Sequence, residues 1–316
     1  MREEGYSETA IDLYLKSWRQ STKKVYNSYI EKWKSFALSN NDSITAPSVV
    51  TVTNFLAGLF HSGVGHSAIN SARSARSSFC VQVDGFPVGK HPRVCRVLKG
   101  IFEERPSLPK YVHTWDVNNV LKSLEKSLEA NELTLKDLTL KLALLLSLIT
   151  GQRGQALHLL KVNDIIRKED NYTLIFSDKH KTTRPGFHTA PVTLFSFDNS
   201  KLCIVKHLDA YLKLTKDLRK GNDLFISTQK PHAAVTRNTF SRWIKTALSN
   251  AGVDTAVFSP HSTRSASTSA ANKCGASTGD ILKAASWSSV NTFRRFYCRD
   301  IEDHSVSFAN AVLSGH

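Results

Sequence analysis

The sequence predicts a mainly α protein carrying a small β-hairpin or sheet in its second part, an α+β fold class in two domains. Three observations carry this. Apolar residues of the first third recur at helical spacing. Two short β-prone runs, Tyr172–Phe176 and Thr189–Leu194, flank a polar loop with a Pro185-Gly186 turn signal. Between these regions Pro106, Pro109 and the polar run Glu103–Lys110 interrupt the periodicity. The expected organisation is a helical domain over 1–105, a linker over 106–112 and a mixed domain over 113–316 that ends in a helical tail. A length of 316 residues suits two domains, and 41% hydrophobic with 22% charged residues excludes disordered, collagen-like and low-complexity classes.

The first domain reads as all-helical. From Ser21 to Leu38, Val25, Tyr26, Tyr29, Ile30, Trp33, Phe36 and Ala37 follow the i, i+3, i+4, i+7 pattern, and Lys23, Lys24, Lys32 and Lys34 fall largely on other faces. Further helices are expected at about 51–61, 67–81 and 92–102. The third of the four places Arg73 and Arg76 among Ser and Ala; small neighbours let a helix approach a phosphate backbone, and the same composition suits an ordinary exposed helix. In the second domain, helices are expected at Val117–Leu128 and at Leu133–Thr150, the latter apolar nearly all round and therefore buried. After the two strands, helices follow at about 202–215, 237–251, 260–274, 278–285 and 290–298. The closing stretch holds a short apolar stripe of Val306, Ala309, Val312 and Leu313, suited to docking on its own core or on a neighbouring protomer.

The 42 Lys and Arg against 27 Asp and Glu give a net charge of +15. The excess is spread: 15 against 9 in residues 1–110, and 27 against 18 in the remainder. A single basic tail would concentrate it, whereas a surface gripping a polyanion from two sides spreads it. Double-stranded nucleic acid is the expected partner. Five widely spaced cysteines without a CxxC pair indicate reduced thiols rather than a disulfide framework or zinc finger. The Met1–Glu4 start lacks the layout of a secretory signal, and no apolar run is long enough to span a bilayer, so a soluble intracellular protein is expected, with no membrane partner.

Among reactive groups there is no Walker-type loop, no HExxH and no close acidic cluster for two-metal phosphoryl transfer, so neither a metal site nor a cofactor is expected. Pro260-His261-Ser262-Thr263-Arg264 follows Ser259, which reads as an N-cap with proline at the first helical position. His261 and Arg264 then share one face of the first turn, at a helix end that favours phosphate. Thr150-Gly151-Gln152-Arg153 follows the buried helix directly, and Lys179, Lys181 and Arg184 lie in the interstrand loop. Trp287 is followed ten residues later by Tyr297, with Arg294 and Arg295 alongside as backbone-phosphate contacts.

Taken in order, these segments resemble the tyrosine recombinase, or phage integrase-like, superfamily over most of the chain. TGxR stands at Thr150–Arg153, a hairpin lysine at Lys181, HxxR at His261–Arg264, a His-or-Trp position at Trp287 and a nucleophile at Tyr297. The Ser17-Trp18 segment, the GQR triplet and the WSS…TFxxFY ending look most like recombinases of DIRS-type or crypton-like eukaryotic transposons, which implies a nuclear location; a chain of other origin would act on DNA in the cytoplasm. Two departures stand out: Ala156 where many relatives carry an acidic residue, and Trp287 in place of the commoner histidine.

The resemblance implies a helical core-binding domain joined to a catalytic domain, and a homo-tetramer on two DNA sites. It also implies cleavage through a 3′-phosphotyrosyl intermediate without metal, ATP or cofactor. Arg153 and Arg264 would hold the phosphate oxygens, since arginine offers a planar fork that stays charged. His261 would take the proton of Tyr297, and Lys181, with Lys179 as competitor, would give one to the leaving 5′-oxygen. Lys23, Lys24, Arg73, Arg76, Lys179, Arg184, Arg294 and Arg295 are the expected backbone contacts. A type IB topoisomerase-like activity and a catalytically silent, transposon-derived DNA-binding protein are the alternatives.

Overall fold

The computed structural model describes residues 5–108, 110–178, 183, 186, 189–301 and 312–314. Its contacts separate into two units, Met1–Leu108 and Pro109–His316.

In the first unit α1 (Glu8–Lys16) starts at Ser7, whose side chain accepts from the Ala10 amide, and buries none of its residues. Helices α2 (Gln20–Ser39), α3 (Val49–His61), α4 (His66–Ser77) and α5 (Pro92–Glu104) pack around Trp33, Ala37, Val52, Phe55, Leu56, Ile69, Ala72, Val94, Leu98 and Ile101. Each contributes a stripe at helical spacing, as Val94, Leu98 and Ile101 do in α5. Ser48 caps α3 through the Thr51 amide, and Pro92 opens α5.

The structure corrects three expectations for this unit. It is not wholly helical: β1 (Gln82–Val83) and β2 (Phe86–Pro87) form a small antiparallel hairpin. Asp84 and Gly85 both take positive φ at its turn, the Asp-Gly signal of a tight hairpin. Accordingly α4 stops at Ser77, and the Val81 amide donates to Thr45 O. The expectation that Arg76 faces a phosphate backbone also fails. Its side chain is fully buried, its guanidinium carbon lies 3.3 Å from the Trp33 ring centroid, and Nη2 donates to Cys80 Sγ. Arg73 is half-buried and donates from Nη1 to Gly89 O at 2.8 Å. The reason is periodicity: counted from Ile69, positions 72, 73 and 76 are i+3, i+4 and i+7, so both arginines share the inward face of α4.

The second unit is built on α7 (Leu135–Thr150), whose residues from Leu138 to Leu148 are all buried, including Lys141. Around it pack α9 (Ile204–Thr215), α10 (Arg237–Asn250) and α11 (Ser262–Lys273), preceded by α6 (Val117–Glu125) and the short α8 (Gly154–His158). A three-stranded antiparallel sheet runs β3 (Ile165–Arg167), β4 (Asn171–Leu174), β5 (Val192–Phe195) in that order, with Tyr172 opposite Leu194 and Leu174 opposite Val192. Those four positions turn Tyr172, Leu174 and Leu194 into the core. Strand β3 was not expected; Ile165 and Ile166 alone are too short a run to read as a strand. Helices α12 (Thr278–Ala284) and α13 (Val290–Phe296) complete the unit around Ile281, Ala285, Trp287 and Phe293.

Helix α11 begins at Ser262, not at Pro260, with His261 in the capping position. A tight turn precedes it, closed by the Ser262 amide donating to Ser259 O at 2.8 Å. Ser259 does not cap the helix because its hydroxyl accepts from Tyr111 Oη instead. No helix among the described residues is long and apolar enough to cross a membrane.

Candidate active site

Arg153 reaches the site because α7 ends on Gly151, held at φ +57 in the left-handed region, which reverses the chain at once. A Cβ there would lie 3.5 Å from Thr268 Cγ2, against α11, so the helix end meets α11 closely. Gln152 is buried next to it, and its Nε2 donates to Ala284 O and, at 2.9 Å, to Ser286 Oγ. Arg153 itself is half-buried. Burial lowers its pKa from the ordinary value, and Tyr297 pulls it back up.

Arg264 enters from the first turn of α11 with almost no exposure, and its Nη2 donates to Ala285 O. Its Nε and Nη1 are buried with no partner among the described residues. Burial, and then repulsion from Arg153, push its pKa down to about 9, opposed by Tyr297; the guanidinium keeps its charge at neutral pH. Among the described residues no carboxylate forms an ion pair with either arginine. Two cations thus repel across a partly desolvated site in which no described carboxylate pairs with them, the electrostatics of an anion-binding site.

Trp287 packs against both Arg264 and Tyr297. Its ring is 4.4 Å from the guanidinium carbon of Arg264 and 4.4 Å, centroid to centroid, from the Tyr297 ring; the Phe293 ring stacks on it at 5.7 Å. Its indole N–H is buried and has no partner among the described residues. Ser286, at φ +52, makes the turn that aims Trp287, and the Gln152 and Arg264 side chains pin that turn from the other side.

Tyr297 sits at the end of α13, half-exposed, with its ring turned to α11. Its phenol oxygen lies 3.3 Å from Nε2 of the exposed His261, and the two rings meet edge-on. Its carbonyl accepts from Ser265 Oγ at 3.0 Å and Ser269 Oγ at 2.9 Å. The two serines stand four apart on α11, so one helix carries His261, Arg264 and both backbone anchors of Tyr297.

The fold therefore brings Arg153, His261, Arg264, Trp287 and Tyr297 together. Lys179, Lys181 and Arg184 lie outside the described residues. Lys24, Arg294 and Arg295 are exposed on their helices and Lys23 is half-exposed, whereas Arg73 and Arg76 are used internally. Sequence reasoning missed Gln152, Ser265, Ser269 and Ser286. The i, i+4 serines following HxxR were the available signal for two of them. Among the described residues no group of three His, Cys, Asp or Glu side chains stands close enough to hold a metal ion.

A model of the phage integrase family matches residues 116–304, more than half of the sequence, and covers Arg153, His261, Arg264, Trp287 and Tyr297. The chain belongs to the phage integrase family. Its members are tyrosine recombinases, enzymes that break and rejoin DNA strands. Solved integrase-family structures share the fold. The XerH site-specific recombinase bound to palindromic difH substrate in a post-cleavage complex is 16% identical with a TM-score of 0.58, over 84% of this chain and 72% of that one. The Tn1549 transposon integrase in complex with circular intermediate DNA is 15% identical with a TM-score of 0.57, over 95% and 98%. The lambda integrase dimer bound to a COC′ core site is 19% identical with a TM-score of 0.53, over 90% and 73%. No curated protein matches the sequence significantly.

Proposed function

We propose that this integrase-family enzyme is a site-specific DNA recombinase of a transposable element, of DIRS or crypton type, acting in the nucleus of a eukaryotic host as a tetramer on two duplex sites. The observation that carries the chemistry is the Tyr297 phenol 3.3 Å from His261 Nε2, under the Trp287 ring and beside two guanidiniums. Attack of the phenol oxygen on a phosphodiester forms a P–O(Tyr297) bond and breaks the bond to the 5′-oxygen, leaving a 3′-phosphotyrosyl link. His261 Nε2 accepts the phenol proton, and Lys181 gives one to the departing 5′-oxygen. Charge building on the non-bridging oxygens is met by Arg153, by the Nε and Nη1 of Arg264, which have no partner among the described residues, and by the indole N–H of Trp287, donors already in place before reaction. The link conserves the bond energy, so a second 5′-hydroxyl reverses the step without ATP.

A nicked duplex that traps the covalent product tests the assignment. Wild-type protein is expected to yield a covalent adduct and Tyr297→Phe none, with DNA affinity kept within about threefold. An adduct formed by Tyr297→Phe would show that another residue is the nucleophile.

A further inference from the structure

Both members of the His261–Tyr297 pair stand at the ends of secondary structure. His261 precedes the first residue of α11, and Tyr297 follows the last of α13. Helix geometry by itself does not fix the distance between them; besides the Ser265 and Ser269 bonds to the Tyr297 carbonyl, one short segment, residues 110–115, braces both flanks of the pair. At one end of the His261 turn, Tyr111 Oη donates to Ser259 Oγ at 3.0 Å and accepts from the Ser259 amide at 2.9 Å. At the other end, the buried Trp115 donates from Nε1 to Ser262 Oγ at 2.9 Å. Tyr111 also packs on Phe258, at 5.3 Å between ring centroids. Between these two anchors the Thr114 amide donates to Asp300 O at 2.9 Å, and His113 pairs with Asp300 as a parallel bridge, three residues beyond Tyr297.

We infer that residues 110–115 form a strap that sets the separation of His261 and Tyr297, with Tyr111 and Trp115 as positioning residues for the cleavage step. The inference rests on the proposed roles of that pair. Each side chain fixes a residue flanking the His261 turn, and Thr114 fixes the chain beyond Tyr297. The family match begins at residue 116, so the strap lies just outside it. A displacement of about 1 Å in a reacting pair costs about 100-fold in rate, which makes such bracing consequential without any contact to DNA.

The test uses the full chain with Tyr111→Phe, Trp115→Phe and the double variant, which keep an aromatic ring at each position and remove the hydrogen bonds. First-order cleavage of pre-bound nicked duplex, DNA affinity and melting temperature are measured from pH 6.5 to 9.5. The double variant is expected to cleave about 10- to 100-fold more slowly at pH 7 with affinity within about twofold. The deficit should shrink as the pH rises, because a growing concentration of solvent base makes the step less dependent on a well-placed histidine. A purely structural role would lower rate and folded fraction in parallel at every pH. Wild-type rates in the double variant, or a pH-independent deficit tracking the folded fraction, would overturn the strap. If Trp115→Phe does not fold, Tyr111→Phe alone decides, with the same two criteria. Failure of the wild-type protein to form an adduct would overturn the proposed reaction and the strap with it, whereas a wild-type adduct with undiminished variants overturns the strap alone.

Discussion

Replacing Arg264 by methionine separates stability from chemistry at the site. The guanidinium is buried with Nε and Nη1 unpartnered among the described residues, and leaving two buried donors unsatisfied costs about 1–3 kcal/mol each. Against that stand one charge-assisted hydrogen bond to Ala285 O, about 1.5–3 kcal/mol, and a cation–π contact with Trp287 at 4.4 Å, about 0.5–2 kcal/mol. The two sides nearly cancel. Arg264→Met keeps the apolar stem without the charge, so the stability change should stay within about 2 kcal/mol of zero in urea denaturation. Cleavage should respond very differently, because donors aimed at developing phosphate charge are worth about 100- to 1,000-fold each. Single-turnover cleavage of a nicked duplex at saturating protein reads this directly. A loss of stability above about 3 kcal/mol would make Arg264 a packing residue, and cleavage within tenfold of wild type would remove it from the phosphate site; either result refutes the reasoning.

Two further outcomes follow from buried cations elsewhere. Arg76→Met should leave the salt dependence of DNA binding unchanged in the folded protein, while Lys24→Ala should lower the slope of log affinity against log salt by about 0.9, the signature of one lost phosphate contact; equal slopes for both would reject the distinction. Lys141, buried in α7 and donating to Ser127 Oγ, has its pKa lowered by burial from 10.5 to about 8. Between those values the unfolded chain binds a proton that the folded one has released, so wild-type stability gains on Lys141→Met by up to about 1.4 kcal/mol per pH unit as pH rises. The variant's advantage should therefore be greatest below pH 8 and fade by about pH 10.5, and a difference constant across that range would refute the burial argument.

Most helices were legible because burial imposes period: the core stripes of α2, α3 and α5 and the continuous apolar run of α7 can be read off the chain. At α4 residue type misled where spacing points the right way. Arg73 and Arg76 look like surface residues by type, yet they occupy core-facing positions by spacing, and stacking on Trp33 with a bond to Gly89 O makes their burial tolerable. At α11, Ser259 has the identity of a cap, but a hydroxyl 148 residues away in sequence had already engaged it.

By itself the sequence supplied the candidate inventory: two arginines, a lysine, a histidine, a tryptophan and a tyrosine, in the order that the family resemblance requires. Only the tertiary structure decided how Arg153, His261, Arg264, Trp287 and Tyr297 meet. The Gln152–Ser286 bond, the serines under the Tyr297 carbonyl and the strap at residues 110–115 all join parts of the chain far apart in sequence. Local periodicity records which face of a helix is buried; it carries no information about which distant side chain supplies the hydrogen bond at the helix end, and in this protein the proposed reacting pair, His261 and Tyr297, stands at helix ends.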